Sequence, residues 1–209
     1  MTNDFRARVG MVAISAFALV LPVVAQQAAT TKREAPTKKD PLEFSCFNVS
    51  LDTGMAGTTE ISLERWTTDA ERQSLLDVLG GAKWGEGGQA KLLKALQDVK
   101  PRTGFIRTPN SLGWDLKYAW ESALPDGTRQ IVIATDKPVS MGAAMGGGSA
   151  MDYPFTFIEM RMKANEKGEG RMLAASAITV KDGKLALENY GNEPVRLTQI
   201  TEKQKKPKN

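Results

Sequence analysis

Five acidic residues, Asp115, Glu121, Asp136, Asp152 and Glu159, lie on or beside segments that alternate apolar and polar residues. Two carboxylates facing each other across a scissile bond, one with a raised pKa, are what glycoside hydrolysis requires. No spacing among the five singles out a pair, and acids alternating with apolar residues also form the solvated face of a sheet. Other catalytic machinery has less material. The chain contains no histidine, which removes Ser-His and Cys-His nucleophiles, histidine zinc sites and histidine acid–base catalysis. No S-x-x-K signature occurs either. What survives is carboxylate chemistry or binding without chemistry.

Metal and cofactor signals are equally sparse. Met141, Met145 and Met151 sit in a run of Gly, Ala and Ser; thioethers can hold Cu(I), but without a supporting His or Cys the run reads as a loop whose methionines fill a core edge. Its glycines are not followed by Gly-Lys-Ser/Thr and so make no phosphate loop. Cys46, the only cysteine, lies between Phe44-Ser45 and Phe47. It has no partner thiol for a disulfide and reads as a buried, inert residue. The sequence therefore calls for no metal and no cofactor. Asn48-Val49-Ser50 matches a glycosylation sequon, a pattern common by chance. Of Trp66, Trp84, Trp114 and Trp120, only Trp84, in the glycine-rich stretch Gly80 to Gly88, lacks an evident packing role. It is the aromatic candidate for a ligand or partner contact. Trp114 and Trp120 are expected to share one strand face with Leu116 and Tyr118 as core.

Compartment and charge narrow the setting. Arg6 and Arg8 precede an apolar run from Met11 to Val24 that ends at Val23-Val24-Ala25 before Gln26-Gln27. This is the order of a cleaved secretory signal, and the run is shorter than the about 20 residues of a membrane span. The expected organisation is a signal peptide over 1–25, a disordered linker over 26–42, one domain over 43–201 and a basic disordered tail over 202–209. The mature protein is thus expected to be exported, periplasmic or secreted, with no membrane span. Residues 41–201 hold 18 Lys and Arg against 20 Asp and Glu, so the overall charge of +4 resides in the termini. A nucleic-acid binder should carry its positive charge on the folded part, and none is expected as partner. The Lys-rich tail could touch anionic surfaces.

The elements that would position these residues follow from periodicity. Ile61 and Leu63 alternate with Glu60, Ser62 and Glu64, the pattern of a half-buried strand. Thr68 and Glu71 then form a capping box ahead of a helix presenting Leu75, Leu76 and Leu79 and stopping at Gly80-Gly81. A second helix, about Gln89 to Val99, repeats the spacing with Leu92, Leu93, Leu96 and Val99 and ends before Pro101. Strands are predicted over 103–107, 114–120, 130–135, 155–162, 171–180, 185–190 and 195–200, with turns at Pro125-Asp126-Gly127-Thr128, Asn165 to Gly168 and Lys181 to Lys184. Short strands joined by tight turns favour antiparallel neighbours. The expected fold is α+β: a curved antiparallel sheet of about seven or eight strands, or half-open barrel, packed on two amphipathic helices.

The stretch from Arg65 to Val99, followed by Gly104 to Pro109, Trp114-Asp115-Leu116, Asp152 to Thr156 and Leu187 to Tyr190, resembles a family of exported bacterial proteins of unknown function. The likeness spans most of residues 55 to 200. It implies export and brings no activity, cofactor or catalytic residue. It draws attention to Arg107 and the nearby Asn110, and to Asp152 and Tyr153, as candidate contacts beside Trp84, although Pro and Gly at strand edges explain both segments without a ligand. The expectation is a non-enzymatic domain that binds a small apolar ligand or a protein partner through the open side or mouth of its sheet. The alternative is an extracytoplasmic carboxylate-dependent hydrolase acting on a glycan.

Overall fold

The computed structural model describes residues 34–51, 54–81, 88–109, 111–139, 155–174, 177–181, 184–188 and 194–203. Strand β1 (Leu42–Val49) pairs with β2 (Ala56–Leu63) as a hairpin, Phe44 opposite Ile61 and Cys46 opposite Thr59. Thr68 and Glu71 then exchange the two bonds of the capping box: the Glu71 amide donates to Thr68 Oγ1 at 3.2 Å and the Thr68 amide to Glu71 Oε2 at 2.8 Å. Two otherwise unpaired amides are thereby satisfied, and α1 (Asp69–Gly81) begins. Helix α2 (Gly88–Asp98) follows.

The remaining elements are β3 (Gly104–Arg107), β4 (Trp114–Leu116), β5 (Tyr118–Ala123), β6 (Arg129–Thr135), β7 (Thr156–Met162), β8 (Gly168–Ala174), β9 (Ala177–Lys181), β10 (Lys184–Glu188) and β11 (Val195–Glu202). Nine strands form one sheet in the order β4-β3-β2-β1-β11-β8-β7-β6-β5, every adjacent pair antiparallel, while β9 and β10 form a separate hairpin. The two edge strands, β4 and β5, are consecutive in the chain and separated by Lys117 alone. One residue cannot cross an open sheet of nine strands, because each strand adds about 4.8 Å of width. The sheet must therefore curl until its edges meet, and it forms a nearly closed barrel. On either side of the seam the ladders run to their ends: the Lys117 amide donates to the Ala134 carbonyl, continuing the β5–β6 pair, and the Thr103 amide donates to that of Leu116, continuing the β3–β4 pair, both at 2.8 Å. Thr67 adds a tie, its amide donating to the Ala119 carbonyl and its Oγ1 accepting from the Ala119 amide.

This is the expected α+β curved sheet on two helices, with nine strands in the sheet rather than seven or eight. Strand β1 escaped the sequence reading because Cys46 and Asn48 face inward while Phe47 faces out, which blurs its apolar alternation. The segment 171–180 is two strands, not one, with β8 in the barrel and β9 in the hairpin.

Two apolar layers result. Inside the barrel, Phe44, Ile61, Leu63, Ile106, Leu116, Ile131, Ile133, Ile158, Met160, Leu197 and Ile200 are buried together. Each such side chain contributes about 1.5–3 kcal/mol on leaving water. Outside it, Leu75, Leu92 and Leu96 of the helices cover Tyr118, Ala134, Phe155 and Phe157. The inner and outer sets alternate along β6 and β7, as strand geometry requires.

One expectation fails at the seam. Trp114 and Leu116 pack into the barrel interior, whereas Tyr118 and Trp120 pack outward against the helices, where the Arg72 guanidinium lies 4.9 Å from the Trp120 ring centre. The alternation changes phase at Lys117, where the chain stops pairing with β3 and starts pairing with β6. A one-residue slip of this kind moves every later side chain to the other face.

Candidate functional site

The barrel interior ends at an ion-paired cluster. Arg129 lies on the inner face of β6, opposite Met162 and in line with Ile131. Its Nε donates to Glu121 at 2.6 Å and its Nη1 to Glu202 at 2.8 Å. Burial alone would lower the guanidinium pKa, but the bonds from both carboxylates raise it. The two acids therefore neutralise an arginine that closes one end of the packed interior. Two other acids are likewise engaged: Asp115 accepts from Arg102 at 2.8 Å, and Glu159 is held by two arginines.

Glu159 is the centre of the most developed polar site. It projects from the outer face of β7, beside the area the helices cover, and its side chain is only 9% exposed. Oε1 accepts from Gln130 Nε2 at 2.7 Å, from Arg161 Nε at 2.9 Å and from Arg161 Nη2 at 2.8 Å. Oε2 accepts from Arg171 Nε at 2.8 Å and Nη2 at 2.7 Å. Burial pushes the carboxyl pKa up; the bonds from Gln130 and Arg161 and the charges of Arg171 and Arg161 outweigh it and hold the value below the ordinary carboxylate range. Arg161 and Arg171 are each about half exposed, and their Nη1 groups have no partner among the described residues. Arg196 of β11 stands directly opposite Arg171 in the register. Together with Glu169, Gly170, Leu197 and Thr198 these residues line an open groove of about 370 Å³.

A second groove, about 270 Å³, lies on the outer face of β1, β2 and β3 and is lined by Glu43, Glu60, Glu64, Arg102, Phe105, Arg107 and Lys203 among others. Here the charges are largely consumed. Arg102 bridges Glu64 and Asp115, Lys203 lies 3.3 Å from Glu60 and 3.6 Å from Glu43, and the Arg102 and Arg107 guanidiniums flank the Phe105 ring. Arg107 is thus an exposed residue of this surface, and it is the one predicted contact that the structure places. Trp84, Asn110, Asp152 and Tyr153 lie outside the described residues, as does the run from Met141 to Met151.

Burial and hydrogen bonding displace the pKa values of several described carboxyls and of the thiol. Among the described residues the carboxyls displaced from their usual values, Glu71, Asp126 and Glu159, are all displaced downward, the opposite of a general acid. Cys46 is buried in the barrel, its Sγ 3.6 Å from the Thr59 carbonyl, and burial pushes its pKa up to about 11. Among the described residues no cluster of three or more His, Cys, Asp or Glu could hold a metal ion, and no helix is long and apolar enough to cross a membrane. The arginines around Glu159 were not legible beforehand, since Arg161, Arg171 and Arg196 come from three strands and share no motif. The nearest signal was Glu159 itself, an acid within an apolar strand. Comparison with protein-family models, curated proteins and solved structures finds no match to the chain.

Proposed function

We propose that this chain is a non-enzymatic, exported binding domain that meets its partner through the uncovered outer face of β7, β8 and β11. The observation that carries the reading is the arginine-lined groove around Glu159, on a stretch of sheet that the helices leave open. Among the described residues the barrel interior is lined by packed apolar side chains and ends at Arg129, Glu121 and Glu202, so the outer groove is the polar surface on which the reading rests. A binding face fixed on packed strands needs little ordering when it meets a partner, which favours affinity. Export rests on the basic flank, apolar run and small-residue boundary of residues 6–25. The glycan hydrolase reading has less support: the most buried acid among the described residues, Glu159, is held by two arginines and its pKa is lowered, the direction opposite to that of a general acid.

Native mass spectrometry of protein purified from its own host, combined with hydrogen exchange, tests the proposal. A bound partner should slow exchange at residues 169–171 and 196–198. Protection confined to the Glu121, Arg129 and Glu202 end of the barrel would refute it.

A further inference from the structure

We propose that the groove between Arg161, Arg171 and Arg196 is a binding site for a phosphoryl group. The inference rests on the outer-face reading above and names its ligand class. Arg171 and Arg196 are direct cross-strand neighbours in the β8–β11 pair. Like charges in that relation destabilise a sheet. Acidic partners could relieve the repulsion, but both oxygens of Glu159 are already committed to Arg161, Arg171 and Gln130. Arg196 makes no hydrogen bond or ion pair among the described residues. Three guanidiniums and two carboxylates line the groove, Glu169 being the second acid. The local excess is positive on a folded region where acids outnumber bases.

Geometry favours phosphate. Glu159 grips Arg161 and Arg171 by their Nε and Nη2 groups. Each guanidinium is therefore held at one edge and keeps its Nη1 donors for something else. Side-chain entropy that an exposed arginine would lose on binding is already lost for these two. Glu159, Arg171 and Arg196 occupy one row across three adjacent strands, so the row spans about 10 Å. A phosphoryl group offers several oxygens to the planar donors of more than one arginine at once, and arginine pairs with it bidentately. The groove, about 370 Å³ and open to solvent, admits the group either on a small soluble compound or on a lipid headgroup.

The test uses the full chain labelled with nitrogen-15. Inorganic phosphate and glycerol phosphate are titrated against chloride at matched ionic strength. Amides of residues 169–172 and 195–198 should shift saturably, and Arg196→Gln should weaken the binding at least about five-fold, as expected for loss of one charge-assisted contact. Lys94→Gln, on the exposed side of α2, should leave it unchanged. Arg196 is exposed, so the variant should fold, and its melting curve verifies this. Co-sedimentation with phosphatidylglycerol vesicles, against phosphatidylcholine vesicles, separates the sources. Arg196-dependent partitioning assigns the phosphoryl group to a headgroup, and saturable glycerol phosphate binding without partitioning assigns it to a soluble compound. No saturable shift together with no vesicle binding, or binding indifferent to Arg196→Gln, overturns the proposal. If a native partner still protects 169–171 and 196–198 in that event, the outer-face reading stands and only the ligand class falls.

Discussion

Replacing Glu159 by Gln removes one negative charge and one strong acceptor while keeping the side chain's size. The carboxylate accepts from Gln130, Arg161 and Arg171, and hydrogen bonds to charged groups are worth about 1.5–3 kcal/mol each when buried. Both arginines are half exposed, so water recovers much of what they lose, and the amide oxygen keeps part of the network. A net loss of about 2–3 kcal/mol at neutral pH results, below the about 3–5 kcal/mol of a fully buried pair. At about 2–4 °C per kcal/mol for a domain of this size, the melting temperature should fall by about 5–10 °C. The pH dependence supplies a second reading of the same interaction. The folded pKa of Glu159 is depressed, so its stabilisation is fully present above the unfolded carboxyl value of about 4.3 and disappears as pH falls through the folded value. Urea unfolding of both proteins at pH 7 and at pH 2.5 measures this directly. The gap between them should be large at pH 7 and much smaller in acid. A gap below about 0.5 kcal/mol at pH 7, the range of an ordinary surface substitution, would refute the view that Glu159 organises the two arginines.

Three further outcomes follow from the packing. Gly170→Ala should destabilise by about 1–3 kcal/mol, because the added Cβ meets the Glu159 carbonyl oxygen across the β7–β8 ladder and the Ile200 side chain; an unchanged denaturation midpoint would show that the ladder can yield there. Trp120→Ala should cost about 2–4 kcal/mol through lost packing on the helices and the lost Arg72 contact, which a thermal melt measures. Cys46, with its thiol pKa near 11, should resist a thiol reagent at pH 8 in the folded protein and react at once in denaturant; equal rates in both states would mean that the barrel opens readily.

Much of the architecture was legible locally. The Thr68 and Glu71 capping box, the leucine spacing of both helices and the turn at Asp126-Gly127 each act through neighbours a few residues away. All three appear where the chain predicts them: Asp126 Oδ1 accepts from the Thr128 amide at 3.0 Å, and Gly127 takes the positive φ of 79° that favours glycine. Alternation also revealed which strands have one apolar face, and antiparallel pairing followed from short connections.

Alternation could not reveal which partner each face meets. Trp114 and Trp120 read as one face of one strand, yet closing the barrel makes the chain change neighbours at Lys117 and puts the two rings in different layers. The same limit applied to the candidate site. Glu159 was visible as a carboxylate on a strand, but its pKa, and so its chemistry, depends on Arg161 and Arg171, and Arg171 reaches it only across the β7–β8 pair. Arg196 joins them through the β11 register, 25 residues further along the chain than Arg171. Residue type and local spacing decided the helices, the turns and the class of fold; the charge balance of the groove arose only when three separate strands were brought about 4.8 Å apart, a distance no local pattern encodes.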